Sequence, residues 1–259
     1  MTSIGQNVWF DLMSTDPEGA RAFYTDLIGW TCVPFENASP DMPYEIWMAG
    51  ETGIGGLMKL PEPAQQMGAP SHWIAYTKVA DVAATVAQAT ELGATTLQPP
   101  FHIPTVGHIS VLADPQGAVF AVFQPEGEAS GTKGEKVGEF SWADLNTRDY
   151  KLAWTFYSAL FGWKHRSTMD MGPGGEYFMF EDPEGVTKGG MSNAANAMNM
   201  PAHWIHYITV ESVDAMVERI TAAGGKVLNG PMDIPGDDRI AHCADPQGAV
   251  FAIYSSKKK

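Results

Sequence analysis

Ala113-Asp-Pro-Gln-Gly-Ala-Val-Phe-Ala-Val-Phe123 is written a second time, almost letter for letter, as Ala244-Asp-Pro-Gln-Gly-Ala-Val-Phe-Ala-Ile-Tyr254. The two stretches lie 131 positions apart (244 − 113) in a chain of 259 residues. A self-match at about half the chain length means one unit written twice. Working outward, Ser71-His-Trp-Ile-Ala-Tyr76 pairs with Ala202-His-Trp-Ile-His-Tyr207 at the same offset. Phe23-Tyr24, Leu27 and Gly29-Trp30 pair with Phe156-Tyr157, Leu160 and Gly162-Trp163 at an offset of 133 (156 − 23), so only loop insertions separate the registers. Residues 1–125 and 137–256 are therefore expected to be two tandem domains. Residues 126–136 (Glu126-Gly-Glu-Ala-Ser-Gly-Thr-Lys-Gly-Glu-Lys136) are polar, glycine-rich and aperiodic, and read as a linker.

Each copy reads as β-α-β-β-β performed twice. Residues 8–13 are apolar and aromatic enough for a strand. Asp16-Pro17 supplies a cap and a first-turn proline, and Ala20, Phe23, Tyr24, Leu27 and Ile28 recur at helical spacing before Gly29. Strands are predicted at 30–35, 44–48 and 54–60. The second half repeats the order: a strand at 73–79, a helix from Asp81 to Leu92, and strands at 94–97, 106–112 and 118–123. In the twin, Asp149 and Ser212 stand where the helix caps belong.

Composition narrows the class of function. With 44% hydrophobic residues and no apolar run of membrane-spanning length, a globular protein without a membrane span is expected. The start lacks a basic and apolar leader pattern, and Cys32 and Cys243 fall at unmatched places, so two isolated thiols of a cytoplasmic protein are expected. A net charge of −14 opposes nucleic acid as a partner, since phosphate binding needs clustered Lys and Arg. The basic tail Lys257-Lys258-Lys259 reads as a solvated end.

The twice-occurring Phe-Tyr-x-x-Leu-x-Gly-Trp helix signature and Asp-Pro-x-Gly turn resemble the vicinal oxygen chelate superfamily of glyoxalase I, bleomycin-resistance proteins and extradiol dioxygenases. The resemblance implies an α+β fold: four βαβββ modules forming two glyoxalase-like domains, each enclosing a cup. It also implies a divalent metal held from the first, fourth, fifth and eighth strands. Matching this sequence onto that pattern puts Trp9 and Trp142 on the first strand, Ile74 and Ile205 on the fifth, and Ala121 and Ala252 on the eighth. The fourth strands, Gly53-Ile-Gly-Gly-Leu-Met58 and Thr187-Lys-Gly-Gly-Met191, offer none of the usual acidic or imidazole ligands. Indole, sec-butyl and methyl groups do not coordinate zinc, iron, nickel or manganese. No metal and no other cofactor is expected.

Strand alternation then assigns the cup faces. Trp9, Asp11 and Met13 are expected inward, with Trp142, Asp144 and Asn146 in the twin. His72, Ile74 and Tyr76 match His203, Ile205 and Tyr207, while His206 points out. Phe123 matches Tyr254. The expected ligand-binding residues are thus Trp9, Met13, Ile74, Tyr76, Phe123, Trp142, Asn146, Ile205, Tyr207 and Tyr254. Asp11 with His72, and Asp144 with His203, are the candidate catalytic groups, because a carboxylate beside an imidazole can move a proton. A strand Asp accepting backbone amides and a His packed beside Trp is the structural alternative. A soft segment carrying Met191, Met198 and Met200 reads as an adaptable lid or an ordinary loop.

The leading expectation is a metal-free pocket protein that binds a small, largely aromatic or apolar organic molecule. A metal-independent lyase, isomerase or hydroxylase-type enzyme using the Asp/His pairs is the alternative, followed by a metal-dependent glyoxalase I-like lyase or dioxygenase. The expected partner is a small-molecule ligand, with no nucleic acid and no membrane. Duplication makes the monomer an internal pseudo-dimer, and a homodimer is the other expectation.

Overall fold

Asp16, Asp81, Asp149 and Ser212 each cap a helix in the computed structural model, which describes residues 3–66, 68–127, 134 and 136–256. Each side chain accepts a first-turn backbone N–H that has no partner within the helix, such as Gly19 N–H on Asp16 at 3.1 Å. Gly29 and Gly162 close two of these helices with φ of 82° and 69°, a left-handed conformation that glycine adopts without Cβ strain.

The first copy runs β1 (Asn7–Ser14), α1 (Pro17–Ile28), β2 (Thr31–Pro34), β3 (Tyr44–Ala49), β4 (Thr52–Lys59), a short α2 (Glu62–Gln66), β5 (His72–Lys78), α3 (Val82–Glu91), β6 (Thr95–Ile103), β7 (Gly107–Ala113) and β8 (Val119–Pro125). The second runs β9 (Phe140–Asn146), α4 (Tyr150–Phe161), β10 (Lys164–Asp170), β11 (Glu176–Glu181), β12 (Thr187–Ser192), a short α5 (Ala194–Met198), β13 (His203–Thr209), α6 (Val213–Ala222), β14 (Lys226–Ile234), β15 (Asp238–Ala244) and β16 (Val250–Ser255). The strand orders are β2-β3-β4-β1-β5-β8-β7-β6 and β10-β11-β12-β9-β13-β16-β15-β14. The fold is thus α+β with four βαβββ modules. Among the described residues no helix is long and apolar enough to cross a membrane.

Two departures from the sequence reading have local causes. β6 continues past Leu97 through Pro99 and Pro100, because register shifts on either side of Gln98 absorb residues that lack an N–H for the ladder. Met191 is not part of a lid. It lies fully buried in β12, while Met198 and Met200 are exposed at and after α5. Most of the expected linker, and all of 257–259, lie outside the described residues.

Compactness divides the chain differently from the sequence repeat. One unit comprises Met1–Val8, Ile74–Gly131 and Trp142–Ile205, and the other comprises Trp9–Trp73, Thr132–Ser141 and His206–Lys259. The first unit packs α3 against α4 around Phe120, Tyr157, Phe161, Trp163 and Phe180, with Trp163 stacked on Phe180 at 4.2 Å. Within the second, α1 packs against α6 around Tyr24, Trp30, Trp47, Trp73, Phe140 and Phe251. Burying one such side chain contributes about 1.5–3 kcal/mol, so each unit has a core of its own.

Candidate binding faces

Alternation along β1 sends Val8, Phe10 and Leu12 into the packed layer and leaves Trp9 and Met13 half-buried on the other face. Asp11, on the face of Trp9, is only 4% exposed. Trp9 donates its indole N–H to the Tyr44 hydroxyl at 2.7 Å, and that hydroxyl donates to Asp11 Oδ1 at 2.7 Å. Tyr44 comes from β3 and reaches Asp11 by lying over β4. Register makes this possible, because Gly56 is the β4 partner of Asp11. A Cβ at Gly56 would stand 1.9 Å from the Tyr44 hydroxyl oxygen.

The other unit holds the same arrangement. Trp142 donates to Asp144 Oδ1 at 2.9 Å and to the Tyr177 hydroxyl at 2.8 Å, and Tyr177 donates to Asp144 Oδ1 at 2.5 Å. Gly190 is paired with Asp144, and a Cβ there would sit 2.2 Å from the Tyr177 hydroxyl. Burial, reinforced by the Asp144 carboxylate, pushes the Tyr177 phenol well above its ordinary pKa, so it remains a donor.

The two candidate histidines are oriented from the backbone. His72 Nδ1 lies 2.8 Å from the Pro70 carbonyl, and His203 Nδ1 lies 2.8 Å from the Pro201 carbonyl. A carbonyl only accepts, so Nδ1 is the ring nitrogen that donates in this bond. His203 Nε2 meets Asn146 Nδ2 at 3.4 Å. Both imidazoles are thus held at proline carbonyls, while Asp11 accepts from Tyr44 and Asp144 from Tyr177 and Trp142.

The second modules form plainer faces. In the first unit Ile74 and Tyr76 are buried, Phe123 is half-buried, and Tyr76 pairs with Ala121 in register. Ile205, also buried, belongs to this unit. In the second unit Tyr207 pairs with Ala252, and half-buried Tyr254 donates to Asp238 Oδ2 at 2.7 Å. Tyr207 Oη lies 2.9 Å from His242 Nε2. His206, expected to point out of the cup, is buried in the packed layer, edge-on to Phe10 at 5.3 Å. His102 and His108 face each other across β6 and β7 at the surface, with His102 Nε2 2.5 Å from Glu126 Oε1.

The residues at the family's ligand positions do not fit a divalent cation. Trp9 and Trp142 commit their N–H groups to the Tyr/Asp network, while Ile74, Ile205, Ala121 and Ala252 carry no donor atom. Among the described residues no group of three or more His, Cys, Asp or Glu side chains is placed to hold an ion.

Sequence reading missed Tyr44, Tyr177 and His242. The tyrosines were findable, since they recur at the offset of 133 that relates Trp9 to Trp142 and Asp11 to Asp144 (177 − 44). His242 breaks the repeat, its counterpart being Val111, so a search for matched residues passes over it.

A family profile described as Glyoxalase/Bleomycin resistance protein/Dioxygenase superfamily matches residues 139–253, and one described as Glyoxalase-like domain matches 7–123. The protein named "Putative glyoxylase CFP32" of Mycobacterium bovis is 31% identical over 245 residues, covering 95% of this chain and 92% of that relative. The "Anthracycline biosynthesis protein DnrV" of Streptomyces peucetius is 33% identical over 128 residues, 45% of this chain and 46% of that protein. Among solved structures, the Mn(II)-bound glyoxalase from Novosphingobium aromaticivorans is similar with a TM-score of 0.63 at 15% identity, over 98% of this chain and 83% of that one. The 2,3-dioxygenase LapB from Pseudomonas sp. KL28 gives 0.65 at 13% identity, over 99% of this chain and 93% of that one. The likenesses to solved structures, at 15% and 13% identity, carry the fold and nothing finer.

Proposed function

This chain belongs to the glyoxalase/bleomycin resistance protein/dioxygenase superfamily, and within it we propose a metal-independent protein whose cups bind a small, largely apolar or aromatic organic molecule. The observation that carries this reading is the Trp-Asp-Tyr network closed over a glycine, built twice, with Trp at the first-strand position where the family's metal ligand is expected. In each network the Trp and Tyr polar atoms are hydrogen-bonded to each other and to the Asp carboxylate, and half-buried aromatic side chains of this kind suit a planar apolar ligand. Trp9 and Met13 in one copy, and Trp142 and Asn146 in the other, line the proposed first-module faces. Ile74, Tyr76 and Phe123, with Ile205, Tyr207 and Tyr254, line the second. A relative named for anthracycline biosynthesis adds support, because anthracyclines carry fused aromatic rings.

A metal-independent enzyme is the second reading, favoured by the backbone-held Nδ1 of His72 and His203. Their Nε2 lone pairs would accept a ligand proton, while Asp11 and Asp144 hold the aromatic frame. The reading places the protein in the cytoplasm, with its partner a small molecule. Equilibrium dialysis against 1-naphthol tests it. The expected result is saturable uptake unchanged by EDTA and weakened about tenfold or more, near 1.4 kcal/mol, when Trp9→Ala and Trp142→Ala are combined. Uptake that EDTA abolishes, or no saturable uptake, contradicts it.

A further inference from the structure

The two copies differ chemically at one position on otherwise matching second-module faces. In the second copy, Ala252 of β16 pairs in register with Tyr207 of β13 on one side and with His242 of β15 on the other. Side chains at paired positions project to one face, and Ala252 puts only a methyl into the space between Tyr207 and His242. Tyr207 and His242 meet across that space, Oη to Nε2, at 2.9 Å. In the first copy the same frame is Tyr76, Ala121 and Val111, so the imidazole is replaced by an isopropyl group.

We propose that Tyr207 and His242 form a proton-accepting site in the second copy, for a ligand bearing a phenol or enol hydroxyl. Tyr207 is 3% exposed and His242 is half-buried. Ile240 and Tyr254, paired in register on the same face, supply the apolar wall against which a planar ring lies. The step balances as one proton moved. The ligand hydroxyl gives its proton to the Tyr207 oxygen, Tyr207 passes its own to His242 Nε2, and the products are a bound phenolate or enolate and an imidazolium. A phenol relaying between ligand and imidazole is ordinary general-base chemistry. The inference rests on the reading of the cups as sites for small aromatic molecules.

The test uses 4-nitrophenol, whose ionised form is coloured, with the full chain and its His242→Val and His242→Gln variants. Val111 already occupies the equivalent place over the same Tyr-Ala frame, so His242→Val tests chemistry on a backbone that accommodates it. Gln keeps a hydrogen-bonding partner for Tyr207 without a basic nitrogen. The expected result is that wild-type protein binds the probe and raises its phenolate-to-phenol ratio about tenfold or more over buffer, equivalent to one pKa unit. Both variants bind it without that rise. Uptake by the wild type with no gain in phenolate, or the same gain in the variants, overturns this inference and leaves the binding reading standing. Absence of any uptake by the wild type overturns both.

Discussion

Tyr24 of α1 donates its hydroxyl hydrogen to Oδ2 of Asp245, 221 positions away, at 3.3 Å. Asp245 opens the second Asp-Pro-Gln-Gly turn, and its Oδ1 accepts the N–H groups of Gln247 and Ala249. Tyr157 of the second copy makes the equivalent bond to Asp114 of the first, at 3.1 Å. The two signatures that betray the repeat are therefore hydrogen-bonded to each other crosswise, each pair inside one compact unit. Tyr24→Phe is expected to leave a buried carboxylate short of one donor and to cost about 1–3 kcal/mol in urea unfolding. A variant as stable as wild type would mean that the turn amides alone satisfy Asp245.

Gly190 is predicted to be a packing partner of Tyr177 rather than a flexible link. Gly190→Ala places a methyl 2.2 Å from the phenol oxygen and is expected to destabilise by about 1–3 kcal/mol. Adding Tyr177→Ala removes the clash. The double variant is then less impaired than the sum of its parts, a coupling read from a double-mutant cycle. Additive losses would place the cost of Gly190→Ala elsewhere.

His206 sets an acid limit. Burial lowers its pKa from about 6.5 to about 3, so between those values the unfolded chain binds a proton that the folded chain does not. Its stabilising contribution is present above pH 6.5 and is lost as pH falls toward 3, by on the order of 4 kcal/mol. Ala75 holds the equivalent place in the first copy, so His206→Ala is the natural comparison. The stability difference between wild type and variant is expected to shift against wild type across that interval in pH-dependent denaturation. A constant difference would contradict a buried neutral imidazole.

Neither thiol is expected to react in the native state. Burial pushes both Cys32 and Cys243 up to about 12, with the Glu45 carboxylate adding to the effect at Cys32, so little thiolate exists at neutral pH. Iodoacetamide labelling followed by mass spectrometry is predicted to modify both only after unfolding.

The helix caps and the α+β module order were legible because each rests on short-range chemistry: a capping carboxylate or hydroxyl just ahead of an apolar stripe, or a glycine after it. β6 was read short because two prolines look like a terminus until bulges are seen to accommodate them. Crosswise pairing of modules was not legible, since nothing local in Tyr24 distinguishes Asp245 from Asp114 as its partner. On β1 and β9, strand alternation put Trp and Asp on one face, but it did not give their hydrogen-bond partners. Asp11 and Asp144 were matched to histidines on adjacent expected faces, and the tyrosines lying over glycines that donate to both were not foreseen. That choice depends on the missing Cβ of Gly56 and Gly190, which strand periodicity does not register.

Metal content measured on purified protein, together with 1-naphthol uptake on the same sample, tests the central claim most directly. The account predicts substoichiometric zinc, manganese, iron and nickel and full uptake after exhaustive dialysis against EDTA. A stoichiometric ion that dialysis removes together with uptake, and that restores uptake when returned, would contradict it.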